Sequence, residues 1–467
     1  MGRPLSGSSD LDLVTGQRRF ARPTRLGLGP RRLAARGRSA NIAAVARRGR
    51  MRSFVSALIA AATVLLASSS RAQGASQALQ SDSDWSQPEA IAIGLGADST
   101  LRWPSLVRYG AAWLLLANVF PARSEPMVGR DAFLLSSVPG VRFPPPPSST
   151  TLAFPKGAVD AGGDVHVVWG EFAPGVLRWT GSVQSLWYAR FDGQRWSAPT
   201  RILVAARIDW SGLDGAVAID GSNAVHIVVP AVDSAGRLRT WYIRKSGDRW
   251  SRVSESPSAY ATVAAWGIGS LAIVNSVAVA DSKGETFPPG LAIRFSNDGG
   301  LSWSRVRRVG GSLGRNAIAP LVRYSAGLVH VFWLGRGLHG RPARLHHSAF
   351  REATRSWLVD SGVPIRGDAL GYAAVADTCG GATAVVASVV PAADRAKVIL
   401  SESRWTGNHV ISQPLFNDYS SAIEPSLGTR DDTLRLVFTA VDQDTARVLT
   451  ATRPSCASPP SWRFRRP

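Results

Sequence analysis

The stretch Phe295-Ser-Asn-Asp-Gly-Gly-Leu-Ser-Trp303 decides the fold. The short polar side chains of Ser296 and Asp298 can accept hydrogen bonds from backbone N–H groups two residues on, and such bonds close a tight turn. The two glycines between Asp298 and Trp303 supply the positive φ angles that the turn requires. Trp303 leaves the turn as a large apolar anchor for the next strand. The stretch therefore predicts a tight turn between two strands.

The tryptophan of this stretch recurs at a nearly constant interval. Trp196, Trp250, Trp303 and Trp357 are 54, 53 and 54 residues apart, and Trp405 follows after 48. Most of them are preceded by a shorter polar turn of the same kind. An interval near 50 residues is typical of propeller and solenoid arrays. The chain is therefore predicted to repeat one supersecondary unit.

The same stretch resembles the Asp-box of sialidases, the bacterial neuraminidase repeat with the pattern Ser-x-Asp-x-Gly-x-Thr-Trp. Ser302 stands here in place of the threonine. In that family the box lies in the turn between the two outer strands of a propeller blade and takes no part in catalysis. The resemblance implies a sialidase-like β-propeller and says more about fold than about chemistry.

Each repeat opens with an apolar strand, a turn at Gly or Asp, and a second apolar strand. The third and fourth strands are more polar and alternate, which is the gradient expected between the centre and the rim of a propeller blade. No helix is predicted outside residues 51–72. The seven inner strand pairs are predicted at 104–118, 157–169, 215–229, 262–275, 319–333, 372–387 and 425–438.

These repeats predict an all-β chain, a sialidase-like β-propeller over residues 85–453. Seven blades are favoured by the count, and six, the number that sialidases have, is the alternative. The last repeat lacks a fourth strand, and the segment around Trp85 is an outer strand without a repeat of its own. Adding that N-terminal strand to the last repeat would close the ring and remove both free sheet edges. The first repeat fits least well, because the proline run at 143–147 cannot supply a central strand.

The N-terminal region has the features of an export signal. A basic start at Met51 precedes an apolar run, and small residues at Ser70 and Ala72 offer a cleavage site before Gln73. The chain is therefore expected to be secreted or periplasmic, with no transmembrane span after cleavage. The predicted segments are a basic disordered leader or a wrongly assigned start at 1–50, a signal peptide at 51–72, a linker at 73–84, the propeller at 85–453 and a Pro- and Arg-rich tail at 454–467.

The chain is strongly basic, with a net charge of +21, of which residues 1–50 contribute +10. Only four of the 54 basic residues are lysines. Such an excess suits an anionic ligand such as an acidic glycan, and it equally suits a solvated surface rich in arginine. The spacings typical of RNA-recognition, helix-turn-helix or zinc-finger domains are absent, so no nucleic-acid partner is predicted.

No cluster of Cys and His has metal-ligand spacing, so no metal or cofactor is predicted. Cys379 and Cys456 can pair in an exported chain or remain as buried thiols. Three histidines occupy one equivalent place on the second strand of their repeats, which predicts a structural role; these are His166, His226 and His330. The pair His346-His347 is predicted to be solvated on an outer strand.

The segment Leu101-Arg-Trp-Pro104 resembles the Phe/Tyr-Arg-Ile-Pro motif that opens the sialidase propeller. In that family the arginine belongs to a triad that grips the substrate carboxylate, and a guanidinium fork suits this task. Arg102 matches this arginine, whereas Leu101 and Trp103 depart from the pattern. A structural alternative for Arg102 is a central arginine that binds carbonyl groups of neighbouring blades.

The remaining catalytic positions follow from the resemblance alone. Glu125 and Asp131 lie in the loop where the family has its general acid, and Arg315 matches a second triad arginine by position only. Tyr372 and Tyr419 are candidates for the tyrosine nucleophile, but no glutamate is assignable to either.

Two functions therefore stay open at this point. The incomplete catalytic set favours a non-catalytic propeller that binds glycan or protein through its central face. The Arg102 motif and the basic charge favour an exo-sialidase-type glycoside hydrolase that acts on sialic acid or a related acidic sugar.

Overall fold

The fold is given by a computed structural model. It describes residues 84–91, 99–109, 112–121, 132–136, 152–172, 183–208, 210, 215–255, 258, 260–280, 286–312, 317–335, 343–359, 362–391, 396–406, 409–416, 419, 421–430, 432–442 and 445–456. The predicted leader, signal peptide and proline run lie outside these residues, as does the linker except for Asp84.

Across the described residues every regular element is a β-strand. The strands are β1 Glu89–Ala90, β2 Ser99–Tyr109, β3 Ala112–Pro121, β4 Ala132–Ser136, β5 Leu152–Val159, β6 Val165–Phe172, β7 Val183–Phe191, β8 Thr200–Ile208, β9 Val217–Ile219, β10 Val225–Val232, β11 Leu238–Ser246, β12 Arg249–Glu255, β13 Ala261–Trp266, β14 Ser270–Ala280, β15 Thr286–Ser296, β16 Arg307–Arg308, β17 Ala317–Ser325, β18 Leu328–Gly335, β19 Arg344–Arg351, β20 Ser356–Val359, β21 Val363–Pro364, β22 Asp368–Ala376, β23 Ala382–Val390, β24 Lys397–Thr406, β25 His409–Leu415, β26 Ser421–Arg430, β27 Thr433–Asp442 and β28 Thr445–Pro454.

Consecutive strands pair antiparallel as up-and-down meanders, and each of the seven predicted inner pairs falls on two such strands. Two short strands lie beside these sets: β21 pairs with β19, and β1 pairs with β28. The meanders, numbered in chain order, are the first (β2–β4), second (β5–β8), third (β9–β12), fourth (β13–β16), fifth (β17–β20), sixth (β22–β25) and seventh (β26–β28). Hydrogen bonds between the described strands join them into five sheets, because β8 of the second pairs with β10 of the third and β24 of the sixth pairs with β26 of the seventh.

Burial explains why the inner and outer strands differ in sequence. The second strand of the third meander, β10, is buried along nearly its whole length, and its residues are almost all apolar. The outer strand β25 is mostly exposed and mixes polar with apolar residues. A strand covered on both faces needs an apolar run, whereas a strand at the rim needs one apolar face only.

Apolar side chains are buried between neighbouring meanders. Leu114 and Leu116 of the first meander pack with Val167 and Trp169 of the second. Equivalent clusters lie between each later pair of consecutive meanders, from the second and third to the sixth and seventh. Each meander therefore buries its faces against the meanders before and after it.

The seventh meander also contacts the first. Leu115 and Ala117 of the first meander form a buried cluster with Val437 and Val448 of the seventh. In the same contact the Leu106 N–H donates to the Ser426 Oγ at 3.0 Å. The first and last meanders of the chain are therefore packed against each other like sequential ones.

The turn between β15 and β16 has the hydrogen bonds that its sequence suggests. Ser296 Oγ accepts from the Gly300 N–H at 2.8 Å, and Asp298 Oδ1 accepts from the Ser302 N–H at 2.9 Å. The bonds from the Ser302 hydroxyl and amide lower the pKa of Asp298 to about 2. Ser296 Oγ also accepts from the Asp298 N–H, two residues on as expected, at 3.4 Å, whereas the two shorter bonds span four residues. Gly299 and Gly300 have φ angles of 69° and 83°. The two glycines are required here because both positions are left-handed.

Buried histidines tie these turns to the sheets. His226 Nε2 lies 3.3 Å from Asp220 Oδ2, and Nδ1 lies 2.7 Å from the Tyr242 hydroxyl. The Tyr242 hydroxyl in turn donates to the Gly299 carbonyl at 3.3 Å. Burial lowers the pKa of His226 to about 4, so the ring is neutral near pH 7. The same contacts recur one meander earlier between Asp160, His166 and Tyr188.

The prediction of a solvated pair at His346-His347 is wrong. These side chains have exposed fractions of 3% and 8%. His347 Nε2 lies 3.0 Å from His330 Nδ1, and His346 stacks on Trp333 with ring centroids 5.2 Å apart. The pair belongs to β19, a third strand that is covered on both faces, and for this reason the histidines pack with aromatic rings and not with water.

The N-terminal segment and the end of β28 meet on the sixth meander. Arg453 Nε donates to Glu402 Oε1 at 3.0 Å, and Arg404 Nε lies 2.9 Å from the same oxygen. Arg404 also donates to Asp84 at 2.8 Å, and the Arg453 guanidinium lies 5.2 Å from the buried ring of Trp85. We call these five residues the terminal clasp.

A disulfide between Cys379 and Cys456 lies beside the terminal clasp and decides the alternative that the sequence left open. It joins the β22–β23 turn to the residues that follow β28. The two ends of the described chain are therefore held to the sixth meander by ion pairs and by a covalent bond.

Candidate ligand-binding face

Five inner strands carry a β-bulge at the same place. In each strand one extra residue interrupts the pairing with the second strand of its meander, as between Arg102 and Ser105 of β2. Bulges are often found next to binding and catalytic sites, because they redirect side chains. The other four lie at Ala153/Lys156 in β5, Ile318/Leu321 in β17, Ala369/Gly371 in β22 and Ile423/Ser426 in β26.

Three of these bulges contain a non-glycine residue with a left-handed backbone. Phe154, Ala319 and Glu424 have φ angles of 50°, 48° and 55°, and each directly precedes a proline. Such a conformation costs about 1–3 kcal/mol and persists only where the surrounding structure imposes it. Strained residues of this kind cluster at ligand-binding sites, which makes this end of the inner strands the candidate site.

The bulges lie at the opposite end of the meanders from the Asp- and Gly-rich turns. In β5 the bulge follows the first residues of the strand, whereas the turn at Asp160–Gly163 follows its last. We call the two ends of the meanders the bulge end and the turn end. Since the Asp298 turn and the histidine chains belong to the turn end, the repeated motif that fixes the fold is remote from the candidate site.

Side chains from other elements hold two of the bulges. The Trp210 indole N–H donates to the Phe154 carbonyl at 2.9 Å, and the Tyr372 hydroxyl donates to the Ala319 carbonyl at 2.6 Å. Lys156, directly after the bulge of β5, has an exposed fraction of only 8%. In these two bulges a backbone carbonyl group is thus already bonded to a side chain, which holds the local backbone in place.

The structure describes only part of the predicted catalytic set. The backbone of Arg102 lies in β2 opposite Asn118, where the bulge begins, but its side chain is outside the described part of the chain. The other three predicted charged residues, Glu125, Asp131 and Arg315, lie outside the described residues altogether.

The two candidate nucleophiles are described and lie in different packing environments. Tyr372 packs against the cluster between the fifth and sixth meanders, where its hydroxyl binds the Ala319 carbonyl. Tyr419 packs against the cluster between the sixth and seventh, with its ring 5.9 Å from that of Phe438. The structure does not bring the two tyrosines into one site.

The sequence carried a signal for the bulges that periodicity did not reveal. Phe154-Pro155, Ala319-Pro320 and Glu424-Pro425 stand at equivalent places in their repeats, as does Trp103-Pro104. Aligning the repeats on these prolines would have shown that the Leu101–Pro104 motif is one instance of a recurring feature. In the part of the chain that the structure describes, no three His, Cys, Asp or Glu residues could hold a metal ion. Among these same residues there is no helix long and apolar enough to cross a membrane.

No protein-family model and no curated protein sequence matches this chain. Solved structures similar to it include a protein of unknown function from Dyadobacter fermentans, with a TM-score of 0.45, 10% identity and coverage of 79% of this chain and 98% of that one. An alpha-L-arabinanase from Penicillium chrysogenum has a TM-score of 0.39 and 14% identity, with 66% and 96% covered. A Trypanosoma rangeli sialidase has a TM-score of 0.40 and 12% identity, and this match covers 77% of this chain and 60% of the sialidase. At TM-scores below 0.5 these likenesses assign no function to this chain.

Proposed function

We propose that the chain is a sialidase-like β-propeller of seven blades, each formed by one meander, with the ring closed by the N-terminal strand. Three observations support this proposal. Buried clusters join every meander to the next, the seventh meander packs on the first, and β1 pairs with β28. A ring in which each blade contacts two others has no free end.

Its proposed role is to bind a glycan through the bulge end without catalysis. The observation that carries this proposal is the recurrence of β-bulges at one end of five inner strands, three of them with a left-handed residue and two of them held by a side chain from another element. A rigid surface with its backbone groups fixed in advance loses little conformational entropy on binding. The basic charge favours an acidic glycan, and the export signal predicted at 51–72 is consistent with a protein that meets glycans outside the cytoplasm.

The position of Tyr372 supports binding over catalysis. A tyrosine nucleophile attacks through its oxygen after a base has taken its proton. The Tyr372 hydroxyl instead donates a hydrogen bond to the Ala319 carbonyl, across the boundary between two meanders. The hydroxyl thereby fixes the bulge of β17.

The second candidate function is an exo-sialidase-type hydrolase. It is favoured by Arg102, which lies where the bulge of the first inner strand begins, as its motif implies. In this role Arg102 would grip the carboxylate of the sugar.

One pair of variants tests the proposed site. Arg102→Ala should weaken binding of a sialoside about ten- to hundredfold, because a charge-assisted fork to a carboxylate is lost. Arg252→Ala removes an exposed arginine of β12 and serves as the matched control. Calorimetry with sialyllactose measures both. If both variants bind sialyllactose as tightly as the wild type does, the bulge end is not the site. If the wild type binds no acidic glycan, the proposal of a glycan ligand is wrong, and a protein is the partner to test next.

A further inference from the structure

Three arginines and one tryptophan lie on the facing sides of the seventh and first meanders. Arg430 and Arg435 belong to the seventh meander, and Arg108 and Trp113 belong to the first. The Arg435 guanidinium carbon lies 5.9 Å from the centre of the Trp113 ring. We call Arg108, Arg430 and Arg435 the seam arginines.

Strand register places all three arginines in the same interface. In the seventh meander Gly428 pairs with Arg435 and Arg430 pairs with Thr433, so the two arginines are diagonal neighbours on one side of the sheet. A Cβ added to Gly428 would lie 2.4 Å from the Trp113 ring, which shows that this side faces the first meander.

The first meander presents its own arginine to the same place. Arg108 pairs directly with Trp113, so the two side chains lie on one side of their strands. Trp113 is buried against the seventh meander, whereas Arg108 is exposed at the rim of the interface.

Two polar atoms in this interface are buried without a hydrogen-bond partner among the described residues. They are Arg435 Nε and the Thr450 Oγ1 of β28. Burial, and then the charge of Arg430, lowers the pKa of Arg435, while the carboxylate of Glu89 acts in the opposite direction. A buried donor without a protein partner is costly, and such a group calls for a partner such as water or an ion.

We propose that the seam arginines bind a tetrahedral oxyanion, phosphate or sulfate, between the first and seventh meanders. A guanidinium fork matches two oxygens of such an anion, and one oxyanion can offset the mutual repulsion of Arg430 and Arg435. The anion is either free in solution or carried as a sulfate group on a glycan, since both present the same oxygens.

Because the proposed anion contacts both the first and the seventh meander, its binding should stabilise the folded state by mass action. This site lies on the side of the turn end, since Arg430 is the last residue of β26 and Arg108 is one residue before the end of β2. It is therefore separate from the bulge end.

The experiment is a titration of the mature chain with inorganic phosphate and with sulfate, at an ionic strength held constant with sodium chloride. Calorimetry gives the dissociation constant and a thermal melt gives the stabilisation. Arg435→Gln should weaken phosphate binding about tenfold or more, and Arg435→Lys, which keeps the charge but not the fork, should lose less. Both variants should keep the wild-type circular dichroism spectrum.

The matched control is Arg201→Gln. Arg201 also stacks on a tryptophan, at 5.8 Å from Trp187, but there the indole donates to the Glu171 carboxylate. This variant should bind phosphate like the wild type. Absence of any effect of phosphate and sulfate beyond that of chloride, or equal losses in Arg435→Gln and Arg201→Gln, would overturn the proposal.

A competition with a sulfated disaccharide identifies the source of the anion. If the disaccharide displaces phosphate from the wild type and not from Arg435→Gln, the physiological ligand is a glycan sulfate. If phosphate binds and the disaccharide does not displace it, the ligand is the free anion. The site itself is supported by either result.

Discussion

The two sides of the seventh meander use arginine in opposite ways. On the side of the sixth meander, Arg404 and Arg453 share the fully buried carboxylate of Glu402. On the side of the first meander, Arg435 lies over the Trp113 ring and is a diagonal neighbour of Arg430. Both interfaces join the last meander to a neighbour, but the clasp shares one buried carboxylate between two guanidinium groups, whereas the Arg435 Nε is buried without a hydrogen-bond partner in the described part of the chain.

The difference shows what each interface is built for. A buried guanidinium is tolerated only when a carboxylate and further hydrogen bonds repay its loss of water, and then removing one partner is costly. The terminal clasp meets this condition, since Gln413 donates to the second Glu402 oxygen at 3.0 Å and Arg453 donates to Thr383 at 2.8 Å. The clasp therefore fixes the chain ends, whereas the role proposed for the seam arginines is to bind an anion.

The largest effect on the free energy of unfolding should appear when one arginine on each side of the seventh meander is replaced in turn. Arg453→Gln leaves a fully buried carboxylate short of a partner and should lower the free energy of unfolding by about 3–5 kcal/mol. Arg435→Gln, made without added anion, should change it by less than about 1 kcal/mol, because it removes a repelled charge. Urea denaturation of both variants makes the comparison. Equal losses of unfolding free energy in the two variants would mean that both interfaces depend on their arginines to the same extent.

Breaking the disulfide should have the next largest effect. It closes a segment with a sequence separation of 77 residues. Replacing both cysteines by serine should destabilise the protein by about 2–4 kcal/mol, mainly through the greater entropy of the unfolded chain. Thermal melts of the variant and of the reduced wild type should agree. If neither differs from the oxidised wild type, the covalent bond adds nothing to the clasp.

Acidification should weaken the turn end. Burial lowers the pKa of His226 to about 4 and that of His330 to about 3, and it also lowers the pKa of His166. Between their ordinary value near 6.5 and these values the unfolded chain binds more protons than the folded one, so stability is lost as pH falls. The loss should approach about 1.4 kcal/mol per pH unit for each such histidine.

Melting temperatures from pH 7.5 to 4.5 measure this loss, and His226→Gln should flatten the dependence. A melting temperature that stays constant over this range would contradict the assignment of buried neutral rings.

The smallest effect should come from Asp377, beside the clasp. Burial raises the pKa of this carboxyl to about 6, although Arg453 acts against the shift. A raised pKa in the folded state means that stability is lost as pH rises from about 4 through 6. Asp377→Asn should therefore be more stable than the wild type at pH 7.5, by about 1 kcal/mol, and the difference should vanish at pH 4. A variant less stable than the wild type at pH 7.5 would show that the carboxylate is needed in ionised form.

The fold was more predictable than the site, for a physical reason. The tryptophan interval and the apolar strand pairs record local packing that every repeat must satisfy, so the positions of the inner pairs followed from the sequence. The short strand beside Trp85 also pairs with the last meander, as the orphan segment suggested. Closure of the ring and the number of blades stay predictions.

The terminal clasp and the site could not be found in this way. Asp84 and Arg404 are 320 residues apart, and no periodicity links a single carboxylate to a single guanidinium over such a distance. The burial of His346 and His347 was missed because β19, the third strand of its meander, was assumed to be exposed to solvent. Tyr372 was chosen by resemblance, and its hydroxyl contact to Ala319 depends on how two meanders dock.

The central claim is that the bulge end binds an acidic sugar and leaves it intact. Saturation-transfer NMR on sialyllactose tests binding and hydrolysis in one sample. It reports the sugar protons that contact the protein, and the same spectra show any free sialic acid that is released. We expect transfer to the sialic acid ring, lost in Arg102→Ala, with no free sialic acid after prolonged incubation. Release of sialic acid by the wild type, abolished in Arg102→Ala, would contradict the claim and establish the hydrolase instead.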